Sequence, residues 1–106
     1  MIENQNDRYV LGTNRTLKIK VEDELGAPWI PTTPLTWSYK MTNGTSTLAL
    51  TQATISYAGG VASIPILGSA TSGFTAGDYD QELIATDNSI PTSVMRGIMT
   101  CLKVIA

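Results

Sequence analysis

The chain has no histidine and a single cysteine among its 106 residues. Without histidine, Ser-His-Asp and Cys-His nucleophilic sites are excluded. So is a histidine zinc site, and one thiolate cannot replace the missing ligands. An intramolecular disulfide is excluded as well, so this is not a stapled secreted scaffold. Cys101 lies in an apolar stretch and reads as a small packing residue. Charge is sparse: 15% of residues are Asp, Glu, Lys or Arg, against roughly 25% in soluble domains. The net charge is −2, and Arg8, Arg15, Lys18, Lys20, Lys40, Arg96 and Lys103 are scattered. Such a balance makes no basic field for nucleic acid. No run approaches the roughly 18 apolar residues of a membrane span. Residues 1–8 lack the basic and apolar regions of a secretory signal, so synthesis in a cytoplasm is expected. The sequons at Asn14 and Asn43 would matter only in a secretory pathway.

What remains is β grammar. From Thr16 to Asp23 the alternation is clean: Leu17, Ile19 and Val21 point one way, Lys18, Lys20 and Glu22 the other. Leu35, Trp37, Tyr39 and Met41 alternate with Thr36, Ser38, Lys40 and Thr42, which predicts a second half-buried strand. Short strands are expected at Arg8 to Leu11, Thr47 to Leu50, Ala53 to Tyr57 and Val61 to Ile66. Pro65 marks the last of these as an edge. Asn43-Gly44 suits a hairpin turn because both residues tolerate positive φ, and Gly59-Gly60 makes another turn. Leu67 to Thr75 is a loop anchored by Phe74, with room for one helical turn. Two further strands, Ala76 to Asp87 and Met95 to Ile105, close the chain; Ile84 and Met99 are expected as apolar residues left on outer faces. The pattern predicts an all-β fold, an immunoglobulin-like sandwich of about seven to eight antiparallel strands over residues 8–106, with residues 1–7 as an arm. A small barrel is the competitor.

Candidate chemistry is thin. Asp78, Asp80 and Glu82 share one strand face. A hydrolase pair needs two carboxyls about 5–9 Å apart, one with a raised pKa. Three on a polar face read instead as solubility and edge protection. Glu22, Asp23 and Glu24 cluster at a turn, yet calcium wants roughly six to eight oxygens and no such loop is spelled out. Neither Gly59-Gly60 nor Gly73 to Gly77 precedes a helix, so no phosphate loop exists. No cofactor and no metal are expected. Among the aromatics, Trp37, Tyr39 and Tyr79 read as core. Trp29, between prolines, is the candidate exposed contact or else a cap on the sandwich.

Both ends of the chain resemble the small immunoglobulin-like virion proteins of tailed bacteriophages, including the N-terminal domain of baseplate upper proteins. The resemblance rests on Thr16-Leu17-Lys18-Ile19-Lys20-Val21-Glu22-Asp23 with the turn Glu24 to Pro28. At the other end it rests on the Gly-x-Tyr strand Gly77-Asp78-Tyr79-Asp80-Gln81-Glu82-Leu83, the turn at Thr86-Asp87, and Arg96-Gly97-Ile98. It covers roughly half the chain. The segment Trp29 to Pro34 departs from the family's short apolar-Thr-Gly step. The resemblance implies a non-enzymatic virion structural protein. A free-standing single domain suits capsid decoration (cement); a tail or baseplate subunit is the alternative, and a carbohydrate- or receptor-binding module a further one. Implied partners are the major capsid protein, or baseplate and tail proteins, and further copies of the chain as a homo-oligomer, with a trimer as one form; no nucleic acid and no membrane are involved. The expected contact residues are Met1, Ile2 and Arg8 of the arm region, Pro28, Trp29, Ile30, Pro31 and Pro34 of the proline loop, and Phe74.

Overall fold

The computed structural model describes residues 6–22, 25–29, 35–87 and 90–103. They form eight strands and one helical turn: β1 Asp7–Val10, β2 Arg15–Lys20, β3 Leu35–Thr42, β4 Thr47–Leu50, β5 Ser56–Ala58, β6 Val61–Ile66, α1 Gly68–Thr71, β7 Gly77–Asp87 and β8 Ile90–Leu102. One sheet has the order β1-β8-β7-β3-β4, the other β2-β6-β5. This is the immunoglobulin-like arrangement: the second, fifth and sixth strands face a sheet built on the third, seventh and eighth. Period-two alternation accounts for it. Leu17, Ile19, Trp37, Tyr39, Met41, Ala62, Ile64, Ile66, Tyr79, Leu83, Met95 and Met99 fill the space between the sheets.

Several expectations need correction. The strands are not all antiparallel: β1 runs parallel to β8, with Tyr9 opposite Cys101 and Val10 opposite Leu102. Asp7 therefore belongs to the sheet and not to an arm, and Asn6 Oδ1 accepts the Ile98 N–H. β2 stops at Lys20, because the β5–β6 turn has been reached there; Val21 N–H goes to the Gly60 carbonyl instead. The β5 strand begins only at Ser56. β6 is central, not an edge. Proline is tolerated because β5 pairs only with Val61–Ser63, so Pro65 has a neighbour, Thr16, on one side only. Met99 is fully buried; the outward neighbours on that strand are Ile98 and Thr100.

The turns are chemically explicit. Gly59 and Gly60 both have positive φ (59° and 80°) and join Ala58 to Val61 in a two-residue hairpin. The β3–β4 connection is longer, four residues, and only Gly44 needs its φ of 90°. Asn43 contributes through its side chain instead, with Oδ1 accepting the N–H groups of Thr45 and Ser46. A bulge between Leu83 and Ile84 sets Val94 and Met95 together against the core, so two consecutive residues of β8 are buried. At the start of β7 the Tyr79 hydroxyl donates to the Thr75 carbonyl, four residues back, at 2.8 Å. This is the tyrosine corner of sandwich domains. Phe74 stacks on the same ring at 5.8 Å.

Candidate functional site

The described residues offer three places where polar or aromatic groups converge. The first is the outer face of the larger sheet. Cross-strand register places Arg96, Glu82 and Lys40 in one row over β8, β7 and β3, with Asp80 and Thr42 in the next. Together they line a shallow depression of about 310 Å³. Arg96 Nε donates to Glu82 Oε2 at 2.7 Å. The Ser93 hydroxyl and the Arg96 guanidinium hold the Glu82 carboxyl below its ordinary range. Asp78 accepts a hydrogen bond from Thr100 Oγ1 at 2.9 Å. The Arg96–Glu82 pair joins β8 to β7 across the strands, as expected of a solvated sheet face.

The second place is the gap between the sheets on the β5 side. Trp29, Trp37 and Tyr57 lie together there: Trp37 and Tyr57 centroids are 4.8 Å apart, and Trp29 meets each of them edge-on at 6.3 Å. The Tyr57 hydroxyl donates to the Trp29 carbonyl, and burial pushes its pKa up. β4 pairs only with Tyr39–Thr42, so the Trp37 N–H is met by the Gln52 side chain at 2.8 Å.

The third is inside the sandwich. Tyr39 Oη donates to Gln81 Oε1 at 2.7 Å, and Gln81 Nε2 donates to Asp7 Oδ2 at 3.1 Å. Asp7 also faces the Arg15 guanidinium at 4.0 Å, and Arg15 donates to the Arg8 carbonyl. This polar chain crosses from β3 to β1 and ties the edge of one sheet to β2 of the other. Burial first, and the Asp7 carboxylate second, push the Tyr39 phenol far above its ordinary pKa.

The expected contact residues separate. Arg8 is exposed on β1 and Phe74 half-buried beside Tyr79, both toward the α1 end. Pro28 is exposed at the opposite end, bridged to Glu22, and Trp29 beside it is half-buried. Met1, Ile2, Ile30, Pro31 and Pro34 lie outside the described residues, as do Asp23 and Glu24 of the acidic turn. Two buried polar residues escaped the sequence reading. Gln81 shares a strand face with Tyr79 and Leu83, a signal that alternation alone could have raised. Thr71 lies in the helical turn, where its hydroxyl meets Tyr9 Oη at 2.7 Å and the Gly12 N–H at 3.2 Å; no local pattern announces it. Among the described residues no group of three or more His, Cys, Asp or Glu side chains is placed to hold a metal. No helix among them is long and apolar enough to cross a membrane.

No family model matches the chain, and no curated protein does. Among solved structures it is similar in fold to a chain described as a "putative glycoside hydrolase" from Bacteroides vulgatus. The TM-score is 0.57 at 13% identity, over 95% of this chain and 17% of that one. At that identity the likeness concerns the fold alone: the chain spans about a sixth of a much longer protein.

Proposed function

We propose that this chain is a non-enzymatic virion structural protein, in the first place a capsid decoration (cement) protein that stabilises the head by protein–protein contacts. The observation that carries this reading is the distribution of exposed apolar side chains. The sheet faces are mainly polar, with Ile84 and Ile98 half-buried on the outer one, and the large exposed apolars fall at the two ends. Val10, Leu67 and Leu102 lie at the end that carries α1, Leu25 and Ile90 at the other. A module that joins neighbours end to end or bridges subunits leaves its apolar groups there. The resemblance at both ends of the chain supports the same reading. Glu82, the carboxyl of the outer row with a displaced pKa, is displaced downward, opposite to what a general acid needs. Contact with major capsid subunits would add interface that must be broken before the shell expands. In the tail or baseplate alternative the same ends meet baseplate proteins. The test is co-sedimentation with expanded capsids that lack this protein. Binding at a fixed number per shell, with a raised shell melting temperature, is expected; absence of binding to heads refutes the cement reading.

One observation favours a second reading, a carbohydrate- or receptor-binding module: Trp29 and Tyr57 lie together at the open side of the sandwich. Against it, the rings meet edge-on and the Tyr57 hydroxyl is already engaged. Titration of tryptophan fluorescence with oligosaccharides distinguishes the two readings.

A further inference from the structure

We propose that Asn43-Gly44 is a self-modifying site, at which the β3–β4 turn activates the Asn43 side chain for attack by the Gly44 backbone nitrogen. The electrophile is the Asn43 amide carbon. Its oxygen, Oδ1, accepts two backbone N–H groups, from Thr45 at 2.9 Å and from Ser46 at 2.7 Å. Two preorganised amides on one carbonyl oxygen form the arrangement that stabilises the oxyanion of a tetrahedral intermediate. The nucleophile belongs to a glycine, which adds no side chain of its own, and the space beside its Cα is open. Its N–H donates to Thr42 Oγ1 at 3.1 Å and leaves that acceptor when hydroxide takes the proton. Asn43, Gly44 and Thr45 are all exposed, so hydroxide and water reach the site.

The step balances with water as the one co-reactant. Hydroxide takes the Gly44 amide proton, and the nitrogen bonds to Asn43 Cγ. The Cγ–Nδ2 bond breaks, and the amide nitrogen leaves as ammonia after taking a proton from water. Water then opens the five-membered imide at either carbonyl. One opening gives aspartate at position 43, the other isoaspartate. The aspartate keeps the acceptor for Thr45 and Ser46 and adds a negative charge to the hairpin tip. The isoaspartate adds a methylene to the main chain of a four-residue connection, which loosens the attachment of edge strand β4.

The test compares the folded chain with the same chain in urea, at one alkaline pH and temperature. Peptide mapping by mass spectrometry reads the amide-to-acid gain at Asn43, and hydroxylamine traps the imide by cleaving between residues 43 and 44. The folded chain is expected to convert about tenfold faster, because only the folded turn holds both donors on Oδ1. Equal or slower conversion in the folded chain overturns the proposal. The comparison needs no variant, so it does not depend on a mutant that folds.

Discussion

Replacing Gln81 with leucine tests whether the interior polar chain holds the sandwich together. Gln81 is 2% exposed and Tyr39 1% exposed. In Gln81→Leu the Tyr39 hydroxyl loses the acceptor that it meets at 2.7 Å. A buried donor left without that partner costs about 1–3 kcal/mol. The lost bond to Asp7 adds to this, although the Arg15 guanidinium, 4.0 Å away, still faces that carboxylate. Leucine recovers part of the loss through apolar burial. A net destabilisation of about 2 kcal/mol is expected. That corresponds to a drop of about 8–16 °C in Tm for a domain of this size. Urea unfolding followed by tryptophan fluorescence measures it, and Tyr39→Phe closes a double-mutant cycle. In the double variant no hydroxyl is orphaned, so the two losses should fall short of additivity by about 1 kcal/mol. A Gln81→Leu protein as stable as the parent, or strictly additive variants, would refute the reasoning.

Other consequences follow from single contacts. A Cβ on Gly68 would stand 2.2 Å from the Gly12 carbonyl oxygen; Gly68→Ala should cost about 1–3 kcal/mol through forced backbone movement, read by chemical denaturation. Tyr79→Phe removes the corner bond to Thr75 while keeping the stack on Phe74, and a loss of about 1 kcal/mol is expected in the same assay. Burial pushes the Cys101 thiol from an ordinary 9.0 to about 11. The folded state therefore holds this proton more tightly than the unfolded chain, and stability should be full below pH 9 and fall as pH rises from there through 11. Native protein should also resist thiol reagents at pH 8 and react on unfolding.

Alternation alone determined much of this protein. Leu17 and Ile19, and Trp37, Tyr39 and Met41, read as core from the sequence and are core in the structure. The reason is local: a strand's side chains alternate at period two whatever it pairs with. Gly59-Gly60 specified its own hairpin for the same kind of reason, since few residues tolerate positive φ twice in a row. Partners were beyond reach. Nothing near Asp7 announces that β1 runs parallel to β8, because that pairing joins residues about ninety positions apart. Pro65 looked like an edge marker because its ring removes an N–H; only the short reach of β5 explains how a central strand accepts it. Trp29 and Tyr57, and Tyr39 with Gln81 and Asp7, became neighbours through the closing of two sheets. Side-chain direction is set by the backbone of a few residues and is therefore written in the sequence. Which groups meet across the sandwich is set by register and sheet order, and those the tertiary structure decided.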